Sequence, residues 1–90
     1  MSELALHIRG HLERRLPEML ALLERLVGID SGSYDVAGVA KVQAVIADVL
    51  ARQGFLIDRL PVVDRAPLLR ATLRRGGKGR LLILGHADTV

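Results

Sequence analysis

A buried strand followed by two polar side chains is predicted by the stretch LLILGHADTV at residues 81–90. Its four consecutive aliphatic residues are typical of a strand covered on both faces, and Gly85 allows the backbone to turn as it leaves the sheet. His86 and Asp88 are two residues apart, so in extended backbone they project to the same side. Because open α/β sheets place metals and ligands at the carboxyl ends of their strands, this stretch predicts a site.

The composition is that of a small globular domain with an aliphatic core. Of the 90 residues, 50% are hydrophobic, and they include one Tyr, one Phe and no Trp. A domain of this size buries only about 60–70% of the surface of its unfolded chain, so its stability margin is thin. Cysteine is absent, which excludes disulfides and leaves His, Asp and Glu as the candidate metal ligands.

The distribution of apolar and charged residues argues against a membrane protein, a secreted protein and a nucleic-acid-binding protein. No stretch reaches the roughly 18–20 apolar residues of a membrane span, and the first residues lack the uninterrupted apolar core of a signal peptide. The net charge of +3 comes from residues 70–80, which carry five bases and no acid. Without interleaved aromatic residues, such a cluster is typical of a solvated strand end and turn. We therefore expect a cytoplasmic protein with no nucleic-acid or membrane partner.

The first third of the chain carries one apolar stripe with helical spacing. Apolar residues recur at steps of three and four over residues 4–27, and Ser2 is placed to cap the start. Pro17 interrupts the stripe, which predicts either a kink near Leu16 or a new helix with Pro17 in its first turn. Residues 28–34 are rich in turn formers and predict a connector.

The rest of the chain predicts one more helix and three strands. The helix runs from about Asp35 or Val36 to Gln53 and is closed by Gly54. Strands are expected at residues 55–59 and 68–74, and the glycine-rich residues 75–79 predict a hairpin turn into the final strand. The predicted order is helix, helix, strand, strand, strand.

Two other groups of residues suggest chemistry that their context argues against. His7 and His11 are four apart on a predicted helix, so both rings could face one ion, but Ile8 stands where the zincin pattern has its general-base Glu. Two exposed histidines near the start of a helix are the simpler interpretation. The GGKG segment at residues 76–79 lacks the spacing and the Ser or Thr of a phosphate-binding loop, so it is interpreted as a turn.

His86 and Asp88 have two interpretations from the residues alone. Both side chains can simply hydrogen-bond the backbone of a polar turn. Their placement after a doubly buried strand favours a functional role, because polar groups there are costly unless they are satisfied. A neutral imidazole can ligate zinc while a neighbouring carboxylate fixes its orientation, although zinc sites usually take three or four protein ligands.

The segment at residues 81–90, with its apolar run, Gly85 and HADTV, resembles the first metal-binding motif of the glutamate carboxypeptidase, aminoacylase and desuccinylase family of di-zinc metallopeptidases. LVGIDSGS at residues 26–33 is similar to the connector after that family's first helix. The helix that runs into Gly54 and the GGKG turn before the metal strand match as well, so the resemblance covers nearly the whole chain. It is nearest to the glutamate carboxypeptidase-like members, and Ala87 stands where the family often has methionine.

The resemblance implies an α/β fold, with residues 1–90 as the N-terminal part of a three-layer α/β/α zinc-exopeptidase catalytic domain. It implies an amidohydrolase that cleaves a peptide or N-acyl bond next to a free carboxylate, using two zinc ions. His86 would ligate one zinc, and Asp88 would be the carboxylate that orients it. In the family most of the site lies beyond position 90. It consists of the bridging aspartate, the Glu-Glu pair with the general base, the later acidic ligand and the second histidine. The lid domain, through which a homodimer would form, also lies outside these residues.

Two interpretations of the 90-residue chain follow from this resemblance. The first is the amino-terminal piece of a zinc hydrolase, inactive alone and unable to hold zinc stably. The second is a complete, small, non-catalytic interaction module that binds a partner through an exposed strand edge. The first is favoured because a strand at residues 81–84 requires cover on both faces of its sheet.

Overall fold

The computed structural model describes residues 2–89, which form three helices and one two-stranded antiparallel sheet. In chain order the elements are α1 (Glu3–Arg14), α2 (Leu16–Val27), α3 (Val36–Arg52), β1 (Leu56–Leu60) and β2 (Leu68–Thr72). The chain is therefore mixed α/β, as predicted from its sequence.

Pro17 divides the first apolar stripe into two helices. Ser2 caps α1 by accepting a hydrogen bond from the backbone N–H of Ala5 at 3.0 Å. Only Arg15 separates α1 from α2, and Pro17 lies in the first turn of α2. A proline is tolerated there because the first helical N–H groups have no partner within the helix. Of the two alternatives left open by the sequence, the structure has the new helix.

The ends of α3 follow the predicted capping signals. Asp35 accepts a hydrogen bond from the backbone N–H of Gly38 at 2.9 Å, which satisfies a free donor of the first turn. At the other end the N–H groups of Gly54 and Phe55 donate to the carbonyls of Ala51 and Leu50. This pair of hydrogen bonds is a Schellman motif, and it requires the left-handed backbone that Gly54 adopts at φ 95°.

The core lies along α3, against the hairpin of β1 and β2. Strand β1 pairs with β2 in a register that sets Asp58 opposite Arg70, and the two side chains form an ion pair at 3.3 Å. Gln43 of α3 donates to the backbone carbonyl of Pro67 at 2.6 Å, which ties the helix to the loop before β2. The buried apolar residues of the described chain all belong to α3 and are only 4–8% exposed: Val39, Val42, Val45 and Ala47. The core is therefore small and aliphatic.

The prediction of a third strand, buried on both faces at residues 81–84, is wrong for this structure. These four side chains are 79–87% exposed, and the backbone of residues 81–88 forms no ladder with any described segment. A strand needs a neighbour to satisfy its backbone groups, and both strands of the hairpin pair only with each other. The predicted hairpin through residues 75–79 is therefore not formed, although Gly76 and Gly79 adopt the left-handed backbone typical of turns.

None of the helices in the described part of the chain combines the length and the apolar character needed to cross a bilayer.

Gly38 is required by a close approach between α3 and the preceding connector, and this gives a stability prediction. A Cβ at Gly38 would overlap the carbonyl oxygen of Asp30 and the carboxylate of Asp35. We expect Gly38→Ala to lower the free energy of unfolding of the complete gene product by about 1–3 kcal/mol, the usual cost of overpacking. Urea unfolding measures this change.

Gly10→Ala is the matched control, because Gly10 lies within α1, where a Cβ would meet only the movable end of Arg14. Helix propensity alone predicts that both substitutions raise the free energy of unfolding, by about 0.5–1 kcal/mol. Opposite signs for the two variants are the expected result, and stabilisation by both would contradict the close approach at Gly38.

Candidate functional site

The connector between α2 and α3, residues 28–35, contacts Thr89, the residue after Asp88. The backbone N–H of Thr89 donates to the carbonyl of Ser31 at 2.6 Å, and Gly32 and Thr89 form an isolated parallel bridge. The hydroxyls of Ser31 and Thr89 lie 3.3 Å apart, and Ser31 is only 4% exposed. Two segments more than fifty residues apart in the chain are therefore joined directly beside the predicted site. Val90, the last residue of the HADTV motif, lies outside the described residues.

His86 and Asp88 lie on the same side of the chain and are in contact, as their spacing predicts. Nδ1 of His86 is 3.1 Å from Oδ1 of Asp88 and 2.9 Å from the backbone carbonyl oxygen of Asp88. A carbonyl oxygen only accepts hydrogen bonds, so Nδ1 is the nitrogen that carries the proton. In the neutral ring Nε2 then keeps its lone pair, and this is the arrangement in which an imidazole ligates a metal.

Asp88 is also bound from the side of the connector. The hydroxyl of Ser33 donates to Oδ2 of Asp88 at 2.6 Å. This hydrogen bond is the main reason that the pKa of the Asp88 carboxyl lies below its usual value. Desolvation opposes the lowering, whereas the Asp88 backbone and His86 add to it. Asp88 is therefore a carboxylate at neutral pH, and it accepts from Ser33 with one oxygen and from His86 with the other.

The imidazole of His86 is accessible from solvent. Its side chain is 81% exposed and stands at the rim of an open cleft of about 590 Å³. Leu23 of α2 and Val42 of α3 also line this cleft. The side chain of His86 is therefore open to an ion or a small ligand.

The described residues do not form a complete metal site. Within residues 2–89 no group of three or more His, Cys, Asp or Glu side chains is close enough to hold a metal ion. Zinc takes three or four protein ligands, whereas His86 offers one nitrogen with a carboxylate behind it. His7 and His11 are both exposed on α1, as expected of surface residues.

Ser33 contacts the predicted pair directly, and the sequence does not single it out. It lies among turn formers in a connector, and no period or spacing links position 33 to position 88. The available signal was the resemblance of LVGIDSGS at residues 26–33 to a family connector, and it gave no role to the serine.

Comparison of the chain with protein-family models, with curated proteins and with solved structures finds no match in any of the three. A family for this chain therefore remains a proposal that rests on its own residues.

Proposed function

We propose that residues 1–90 are the amino-terminal part of the catalytic domain of a zinc-dependent amidohydrolase of the glutamate carboxypeptidase, aminoacylase and desuccinylase family. The observation that carries the proposal is the His86–Asp88 contact. An exposed imidazole whose Nδ1–H is held by a carboxylate has its Nε2 free, as metal-ligating histidines usually do. The HADTV motif around this contact supplies the link to the family.

In the proposed enzyme each residue of the pair has a separate task. His86 would donate its Nε2 lone pair to one of two zinc ions, and Asp88 would fix the orientation of the ring. When bound, zinc supplies a Lewis acid for the scissile carbonyl and lowers the pKa of its water to about 7. The remaining ligands and the general base come from chain outside residues 2–89, and so does the lid domain that would carry a dimer interface.

The proposed substrates are peptides or N-acyl amino acids in which a free carboxylate lies next to the bond that is cleaved. This class comes from the family resemblance, since the described residues include no group assigned to carboxylate recognition.

The test is an assay of the complete gene product for zinc and for hydrolysis. We expect about two zinc ions per catalytic domain, loss of activity on treatment with a chelator, and recovery on addition of zinc. The substrate panel pairs dipeptides and N-acyl amino acids with their carboxamide-capped forms, and only the free carboxylates should be cleaved. A protein that carries no zinc and hydrolyses none of these compounds contradicts the proposal.

One observation favours the second candidate function, a non-catalytic interaction module. Residues 81–84 are exposed and without a strand partner in the described chain, so their backbone could pair with a strand of another protein. The zinc and hydrolysis assay separates the two functions, because a module of this kind needs neither metal nor activity.

A further inference from the structure

We propose that Ser33 is a positioning residue for the His86–Asp88 pair: its hydroxyl holds the Asp88 carboxylate so that the opposite oxygen accepts from Nδ1 of His86. The catalytic consequence of this positioning rests on the proposed function. The positioning itself concerns the orientation and tautomer of one ring, and it can be measured without any substrate.

The geometry at Asp88 carries the inference. Oδ2 accepts from Ser33 at 2.6 Å, and Oδ1 lies 3.1 Å from Nδ1 of His86. A partly exposed carboxylate held through one oxygen alone is less restrained than one held through both. Two donors on its two oxygens fix the plane of the group, and hydrogen bonds to an ionised acceptor are about twice as strong as neutral ones. Without Ser33, only the contact with Nδ1 of His86 at 3.1 Å would orient the carboxylate, and the ring would keep the backbone carbonyl of Asp88 at 2.9 Å as its other acceptor.

Ser33 can serve as a fixed donor because its segment is anchored on both sides. The backbone N–H of Asp35 donates to the carbonyl of Gly32 at 2.8 Å, and Asp35 caps α3 through its side chain. On the preceding side Ser31 accepts from the backbone of Thr89. A site group is oriented well only when the residue that supports it is itself held in place. The connector therefore acts as the support from which Ser33 reaches Asp88.

A nucleophilic role for Ser33 does not fit the same contacts. In a catalytic Ser-His-Asp arrangement the histidine lies between the serine and the aspartate, and one ring nitrogen accepts the hydroxyl proton. Here the carboxylate lies between the serine and the histidine, and Nδ1 of His86 already donates to Asp88. The hydroxyl of Ser33 consequently orients the carboxylate.

The experiment compares Ser33→Ala, Ser33→Thr and Ser33→Val in the complete gene product. Thr and Val have nearly the same shape and differ by the hydroxyl, so this pair decides the question even where Ser33→Ala fails to fold. Ser2→Ala is the matched control, since it removes another serine hydroxyl hydrogen bond, the α1 cap, away from the site. The two readouts are the His86 tautomer, from ¹⁵N NMR of histidine-labelled, metal-free protein, and the dissociation constant for zinc.

We expect the parent protein, Ser33→Thr and Ser2→Ala to keep the proton of neutral His86 on Nδ1. In Ser33→Ala and Ser33→Val the backbone carbonyl of Asp88 still accepts from Nδ1, but the carboxylate is less well held, so the fraction of the Nδ1–H tautomer should be lower than in the parent. These two variants should also bind zinc about tenfold more weakly, the lower end of the effect of residues that support a metal ligand. An unchanged tautomer and zinc affinity, with only the melting temperature lowered, would overturn the positioning role. That result leaves the proposed hydrolase intact. A shifted tautomer in a protein without zinc or hydrolysis supports the positioning and contradicts the hydrolase.

Discussion

His86→Ala should abolish zinc-dependent hydrolysis by the complete gene product. In the proposed hydrolase the imidazole is the nitrogen ligand that the described site supplies, and its side chain is 81% exposed. Removing a ligand from a three- or four-ligand site releases or misplaces the metal. Because zinc contributes several kcal/mol to the stabilisation of the transition state, kcat/KM should fall by about a thousandfold or more. Metal content by mass spectrometry and initial rates on the free-carboxylate panel measure the two effects.

A graded series around the same site makes this prediction sharp. Asp88→Asn keeps the shape of the side chain but offers the ring a weaker, uncharged acceptor, so we expect a loss of about 10–100-fold in zinc affinity. His7→Ala is the matched control, because it removes an exposed histidine of α1 that has no part in the site. Full activity and full zinc content in His86→Ala would remove His86 from the metal site.

The helices could be predicted from the sequence because their signals are local. Ser2, Pro17, Asp35 and Gly54 mark helix ends through the hydrogen bonds that they make or cannot make within a few residues. The period of the apolar residues predicts an inner face of α3 at positions 39, 42, 46, 49 and 50. Val39 and Val42 are buried as predicted, whereas Val45 and Ala47 complete the core from outside that set. Both kinds of information depend on neighbours in the chain, so tertiary contacts did not override them.

Whether residues 81–84 form a strand could not be predicted in the same way, since burial of a strand on both faces depends on partners elsewhere in the fold. An apolar run indicates that a segment favours burial. Whether packing partners are present to bury it depends on the rest of the fold. In this structure β1 and β2 pair with each other, and residues 81–84 remain exposed. The same limit applies to the site. The His86–Asp88 contact follows from a spacing of two, but the contact of Ser33 with Asp88 joins positions 55 residues apart and requires the fold.

The 90-residue chain prepared alone should self-associate or unfold without cooperativity, and zinc should not rescue it. Its accessible surface is 7812 Å², about 2,600 Å² more than a folded protein of 9.8 kDa normally exposes. The radius of gyration of 15.4 Å likewise exceeds the roughly 12 Å of a compact domain of this length. The excess surface includes the apolar side of α1 and α2 and residues 81–84, whereas the core consists of four small residues of α3. Contiguous apolar surface of this extent drives association in water.

Self-association is measured by size-exclusion chromatography with light scattering. The cooperativity of unfolding is measured by a thermal scan with circular dichroism, and both experiments are done with and without zinc. Zinc stabilises a fold only where it binds the folded state more tightly than the unfolded one, and the described residues offer it a single histidine backed by one carboxylate. Replacing Leu82 and Leu84 with Lys gives the matched variant, because it removes apolar surface from residues 81–84 without touching the α3 core. That variant should be less associated and no more cooperative. A sharp, monomeric transition of the unaltered chain would instead favour a self-sufficient interaction module over one part of a larger catalytic domain.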